Sequence, residues 1–180
     1  MTGDIGLPIL ETARLSLREF TEADAPALMQ VYREPSVERF FGPAPLSEAE
    51  ERANIHQHRR DYYDARGFGL WAVISRADPR LLVGRCGLIA STIAGRPELE
   101  LSWLTAPAYQ GRGLATEAAA AVRDHAASVL GQDRLLAVIA PDNAASIRVA
   151  QKLGMTRTSD ADYKTFRPVH LYVWERDHAG

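Results

Sequence analysis

The stretch Thr105-Ala-Pro-Ala-Tyr-Gln-Gly-Arg-Gly-Leu-Ala-Thr-Glu117 gathers the residue types that could hold a phosphate. A short loop with Pro107 leads into Gln110-Gly111-Arg112-Gly113-Leu114-Ala115, and an Ala-rich run follows. Two glycines let the backbone pass close to a bulky ligand and adopt conformations that other residues resist. The first N–H groups of a helix starting here have no acceptor within it, and they stand at the positive end of its dipole. Such a place suits a phosphate or a pyrophosphate. Arg112 adds a fixed positive charge. A nucleotide P-loop would need Gly-Lys-Ser/Thr, which is missing, and a dinucleotide fingerprint would need a third glycine where Thr116 stands. On these residues alone, a strand-to-helix turn that binds nothing stays open.

Other residues with chemical potential point elsewhere. His56 and His58 are two apart on a helical stretch, so about 200° separates them. They cannot face one ion together, and no metal site is expected. Cys86 is the lone cysteine, which rules out an intramolecular disulfide. It is read as a small buried residue of an apolar strand, because a reactive thiol needs a base beside it. Trp71, Trp103 and Trp174 fall in apolar stretches and read as core.

The elements that must position the loop follow from periodicity. Residues 14–18 alternate like a half-buried strand. Thr21 or Asp24 caps a helix through Arg33, which Glu34-Pro35-Ser36 stops. Ser47-Glu-Ala-Glu50 has capping-box spacing, with Leu46 as a staple, and opens a long polar helix to about Asp64. Gly67 marks its end. Leu70–Ser75 and Leu81–Ile89 are strands joined by a turn at Ala77-Asp78-Pro79, and Gly95-Arg96-Pro97 makes another turn. Glu98–Leu104 puts Leu99, Leu101 and Trp103 on one face and Glu98, Glu100 and Ser102 on the other. Residues 113–130 form a helix with an apolar stripe of Leu114, Ala118, Ala121, Val122, Ala126 and Val129. Arg134–Ala140 is a strand. Asn143–Leu153 is a helix, capped by Asn143 and stopped by Gly154. Val169–Trp174 is the last strand, and the tail from Arg176 reads as a frayed end. Together these give an α/β (α+β) sheet with helices on both faces.

Composition narrows the function. The 180 residues are 46% hydrophobic and 24% charged, with a formal net charge of −2. That fits one folded domain over 1–180 with a core at about 10–175. It disfavours a generally basic nucleic-acid binder. No apolar run approaches the roughly 18–20 residues of a membrane span, and the N-terminus lacks a basic start followed by an apolar stretch. The expectation is a cytoplasmic protein with no nucleic-acid or membrane partner, as a monomer or homodimer.

These residues resemble a family. Gln110-x-x-Gly113-x-Ala115 is similar to the Q/R-x-x-G-x-G/A loop of the GNAT N-acetyltransferases. Leu10-Glu-Thr-Ala-Arg-Leu-Ser-Leu-Arg18 and Arg33-Glu-Pro-Ser-Val-Glu-Arg-Phe-Phe-Gly42 resemble the opening strand and the helix-to-loop passage of the RimJ/RimL-like branch. Glu100-Leu-Ser-Trp-Leu104 is similar to its E-x-G-Y/W-x strand, and Asn143-x-x-Ser146 through Lys152-Leu-Gly-Met155 to its last helix. Two departures stand out. Ser102 replaces a usual Gly, and Gln110 stands where Trp or Arg is common.

The resemblance implies a GNAT fold: a mixed, mostly antiparallel sheet of six to seven strands with one splayed pair, here 98–105 and 134–140. It implies acetyl-CoA as cosubstrate, with the pantetheine arm against Trp103, Leu104 and Thr105. The pyrophosphate would lie on Gln110, Gly111, Arg112, Gly113, Leu114, Ala115 and Thr116, with Asn143, Ser146 and Lys152 as further contacts. It implies direct attack of a primary amine on the thioester in a ternary complex, the amine being a protein N-terminus or a small molecule. Glu100 would take the proton, and Ser146 would protonate the leaving thiolate. Tyr109, Tyr163 and Tyr172 remain alternatives for that acid. Acceptor choice would lie in residues 35–67 and 156–168. Two rival readings use the same loop: a non-catalytic acyl-CoA sensor or interaction protein, and a transferase of a larger acyl group such as succinyl. A nicotinamide-dinucleotide oxidoreductase is the distant third.

Overall fold

The computed structural model describes residues 6–163 and 166–176. Of the expected frayed tail, Arg176 is instead held, its N–H donating to the Asp133 oxygen at 2.8 Å, and 177–180 lie outside the described residues. One continuous sheet is assembled from β1 (Pro8–Glu11), β2 (Leu15–Arg18), β3 (Leu70–Ser75), β4 (Leu82–Ile93), β5 (Arg96–Thr105), β6 (Arg134–Ile139), β7 (Thr156–Tyr163) and β8 (Phe166–Glu175), with apolar side chains of the inner strands facing the helices. Their spatial order is β1-β2-β3-β4-β5-β6-β8-β7. Neighbours run antiparallel except β5 and β6, which are parallel. The sheet is mixed and mostly antiparallel, as expected, but has eight strands rather than six or seven. The two strands that periodicity did not mark, β1 and β7, are its edges. β1 is short, and β7 is polar and largely exposed.

Helices cover both faces. On one, Leu17, Trp71, Val73, Cys86, Leu88, Leu101 and Trp103 pack with Ala118, Ala119, Val122 and Ala126. Those alanines belong to α4 (Leu114–Ser128), whose small side chains let it lie close to the strands. Val129 does not join the expected stripe: it follows the last helical turn and is 67% exposed. On the other face, Phe20, Ala72, Ile74, Leu82 and Leu104 lie with Leu28, Val31, Val37 and Ile55. These four come from α1 (Ala25–Tyr32), α2 (Pro35–Phe41) and α3 (Glu48–His58), the last continuing through a wider turn at Arg59–Asp64. α1 ends at Tyr32, before the extended Glu34 that a following proline favours, as expected; Pro35 also opens α2, where a missing N–H and a fixed φ are harmless. Ser47 caps α3 as expected, but Leu46 is no staple, being 90% exposed. The remaining helix, α5 (Ala144–Lys152), has Asn143 as its cap.

Two local devices fix the sheet around its centre. Arg18 and Asp24 form a buried two-pronged ion pair, 2.8 Å at each prong, and Asp24 also accepts from the Thr21 N–H, tying β2 to α1. In β4 the pairing with β3 slips between Gly84 and Leu82. There Gly84 presses so closely on β5 that a Cβ would lie 2.0 Å from the Leu104 carbonyl oxygen. Only a residue without a side chain fits without moving β5. Gly84→Ala is expected to destabilise the protein by about 1–3 kcal/mol, the usual cost of overpacking. Chemical denaturation measures this, and a midpoint unchanged from wild type would mean that β4 yields freely.

Candidate active site

The parallel pair β5–β6 registers at one point, Glu100 opposite Leu136. Beyond it the strands part. A cavity of about 200 Å³ enters the gap, lined by Leu101, Ser102 and Trp103 on one side and Ala137, Val138 and Ile139 on the other. A second cavity, about 340 Å³, runs along Leu104 and Thr105 to the glycine loop and the first turns of α4 and α5. Both cavities are walled by Phe40, Phe41, Trp103, Asn143 and Ser146, so they form one cleft.

At the loop end, Pro107–Tyr109 makes one 3-10 turn. Gly111 and Gly113 then take left-handed conformations, φ +74° and +78°. These conformations aim the chain into α4, whose first closing bond is Glu117 N–H to the Gly113 oxygen at 3.1 Å. The N–H groups of Leu114, Ala115 and Thr116 precede that bond and have no acceptor within the helix, and these three residues line the cleft. Gln110 also lines it, and its Nε2 donates to the Thr105 oxygen at 3.0 Å, tying the loop to the end of β5. Arg112 behaves differently from the expectation. Its guanidinium turns back on the loop, donating to the Ala108 oxygen and resting over the Tyr109 ring. It is not part of the wall, whereas Lys152 is, joined by Arg148, which the sequence did not single out.

The loop is braced from behind by residues that no local pattern reveals. Glu117 accepts from the Thr12 hydroxyl (2.6 Å), the Arg14 N–H (2.9 Å) and Arg14 Nε (2.7 Å). Arg14 Nη1 in turn donates to the Arg112 oxygen at 3.0 Å. Partial burial alone would raise the Glu117 pKa, but the bonds from Thr12 and Arg14 together outweigh it and hold the carboxyl below its ordinary value.

At the other end, Glu100 is only 8% exposed. Its carboxylate accepts from the Ser91 hydroxyl at 2.9 Å and the Tyr163 hydroxyl at 3.0 Å. Asn143 Oδ1 caps α5 by accepting from the Ser146 N–H at 3.0 Å, and both side chains border the cleft. The three tyrosines separate. Tyr163 stands at Glu100, Tyr109 lines the loop-side cavity, and Tyr172 is buried in the core facing α4. His56 pairs with Glu22 on the surface, while His58 Nε2 accepts from the Leu70 N–H at 2.8 Å. Burial pushes the Cys86 thiol up to about 12.

Comparison with known proteins decides the family. Residues 14–156 match the model of the acetyltransferase (GNAT) domain. The chain belongs to the GNAT acetyltransferase family. It is 31% identical over 150 residues to the N-acetyltransferase YoaA of Bacillus subtilis, covering 83% of this chain and 84% of that one. A crystal structure of an acetyltransferase from Agrobacterium tumefaciens C58 is 27% identical, with a TM-score of 0.79 over 95% of this chain and 96% of that one. The fold is also that of RimL, a ribosomal L7/L12 α-N-protein acetyltransferase solved with coenzyme A. RimL is 19% identical, with a TM-score of 0.78 over 95% of this chain and 99% of that one. The parted strands and the glycine loop are thus the two ends of a cleft in a GNAT acetyltransferase. This enzyme uses acetyl-CoA to acetylate an amine.

Two predictions follow from this geometry. Glu117→Ala removes the brace behind the loop and is expected to weaken acetyl-CoA binding about 5- to 20-fold, a loss of roughly 1–2 kcal/mol. Calorimetric titration checks it, and unchanged affinity would show the loop to be self-supporting. His58 supplies a pH dependence. Burial first, and Arg85 second, push its ring down to about 4. The unfolded ring titrates near 6.5, so the unfolded chain binds the proton first as the pH falls. The stabilisation is complete above pH 6.5 and is lost on the way down to about pH 4. It should amount to about 1–2 kcal/mol once solvent screening of the half-buried ring is allowed for. Thermal melts of wild type and His58→Gln across that window should differ in slope; parallel curves would contradict it.

Proposed function

We propose that the cleft carries out direct acetyl transfer to a primary amine, with both substrates bound together. In this reading residues 1–180 form one catalytic unit working in the cytoplasm. The N–H groups at the start of α4 take the pyrophosphate, and Arg148 and Lys152 face the phosphate-bearing end. The backbone edge of β5 from Trp103 to Thr105 lacks β6 as a partner, so the amides of the pantetheine arm can pair with it as an added strand would. Asn143 has its oxygen engaged by the cap and keeps its Nδ2 for the same arm.

An amine attacks only when neutral, yet amines are mostly protonated near pH 7. Glu100 takes the proton, directly or through a water. The hydroxyls of Ser91 and Tyr163 hold its carboxylate toward the cleft. A backbone N–H near Leu104 meets the negative charge that develops on the thioester oxygen. Ser146 donates to the departing thiolate. Among the tyrosines, Tyr163 stands with the base and Tyr172 is away from the cleft, which favours Ser146 as the acid. What most supports the reading is one juxtaposition. A buried carboxylate sits at the point where the sheet opens, and a helix start with open amides sits at the far end of the same cleft.

Acetyl-CoA is expected to bind in the micromolar range, about −8 kcal/mol. Free thiol should appear when a suitable amine is added. Glu100→Gln should lower kcat by about 10²–10⁴-fold while acetyl-CoA affinity stays near wild type. A thiol-release assay over N-terminal peptides, polyamines, amino acids and aminoglycosides tests this. Tight CoA binding without any amine-dependent thiol would instead favour a sensor.

A further inference from the structure

Among the described residues Arg85 forms no ion pair, although the buried carboxylate of Glu51 feels its charge. Arg85 sits on β4 between Ala72 of β3 and Leu104 of β5, in the layer where the sheet meets α1 and α2. The rings of Tyr32 and Phe41 flank its guanidinium, with centroids 5.6 and 5.2 Å away. Its Nε–H is buried and, among the described residues, has no acceptor. The nearby Glu51 is engaged with Asn54 Nδ2 at 3.2 Å and forms no ion pair with it. His58 is held neutral at physiological pH. A half-buried cation stacked between aromatic faces, with no ion-pair partner and one N–H sealed from water without an acceptor, carries a cost. The stacking offsets part of this cost and fixes the planar fork, leaving its N–H edge for a two-pronged acceptor.

The surroundings say where that acceptor comes from. Arg85 borders the cavity that holds Glu100 and Ser146, and also a cavity of about 300 Å³ beneath α1 and α3. It is absent from the wall of the loop-side cavity that would house the nucleotide. In register it stands opposite Leu104, as Glu100 stands opposite Ile89. The two charged side chains therefore share one face of the sheet, four residues apart, roughly 13 Å between backbones. The arginine stem shortens that span. A positive end and a negative end across one cavity match a molecule with an amine at one end and an anion at the other.

We propose that Arg85 binds the carboxylate of the acceptor, so that the substrates are amines carrying a carboxylate, such as amino acids or acidic peptides, rather than polyamines. This rests on the acetyl-transfer reading of the cleft and adds the substrate class.

Two measurements test it, one needing no turnover. In CoA-bound protein labelled with ¹⁵N, the Arg85 Nε–H resonance, assigned by its loss in Arg85→Met, should shift saturably on adding glutarate and not glutaramide. No shift overturns the proposal, whether or not any amine is acetylated. With acetyl-CoA, aminocarboxylates of two to six carbons are then compared with their carboxamides, and Ala-Glu peptides with Ala-Gln peptides. At least one acid should exceed its amide tenfold or more in kcat/KM, chiefly through KM. Arg85→Met should bring that ratio to within about threefold of one, and Arg85→Lys should restore part of it. Preference for polyamines or amides, or an acid preference that survives Arg85→Met, overturns the proposal. So does a finding that Arg85 instead selects succinyl-CoA over acetyl-CoA. A resonance shift without any thiol release would leave the anion site standing and refute only the transferase reading.

Discussion

The parallel contact of β5 with β6 at Glu100 and Leu136 fails one step later, and the rest of the molecule is arranged around that failure. Backbone N–H and C=O groups that lose a strand partner must find another acceptor or donor. A sheet that closed there would be more stable and would have no cleft between β5 and β6. The opening is kept by neighbours that cannot easily follow it. β4 holds β5 through Gly84, α4 underlies Trp103, and β8 pairs with β6 along its whole length from Arg134 to Ile139. Each strand of the parted pair is thus anchored on its outer side only.

The charges follow the same geometry. Where the cleft approaches the sheet it is apolar or aromatic, with Phe40, Phe41, Trp103 and Val138 in its wall, so the few ionised groups there act over short distances in weak screening. At the loop, positive character comes from unpartnered amides rather than from Arg112, whose side chain serves the loop itself. Fixed dipoles need no reorganisation when an anion arrives, and their aim is set by the brace that Glu117 and Arg14 provide.

Much of this was legible from local pattern. The alternation through Glu98–Leu104 placed Glu100 and Trp103 on opposite faces, and the Ala-rich run and Asn143 marked α4 and α5. What escaped had no local signal. β7 reads Thr-Arg-Thr-Ser-Asp-Ala-Asp-Tyr, with no apolar period, because an exposed edge strand buries little. Val129 fitted the helical stripe but lies beyond the point where α4 ends. Thr12, Arg14, Ser91 and Tyr163 meet their partners across 63 to 105 residues of chain, Ser91 with Glu100 excepted, and no spacing rule reaches that far. Arg85 sits in the run Val-Gly-Arg-Cys-Gly, where it looks like one polar residue of a strand. Only the packing of α1 and α2 over it makes it unusual.

One core residue bears on the product of the reaction. Acetyl transfer releases a free sulfhydryl, and in air such groups couple readily with protein cysteinyl sulfur that is exposed and ionised. Here the sole cysteine is sealed under α4 and held as the neutral form at any physiological acidity. Coenzyme A released by the reaction therefore meets no accessible thiol of this chain with which to form a mixed disulfide.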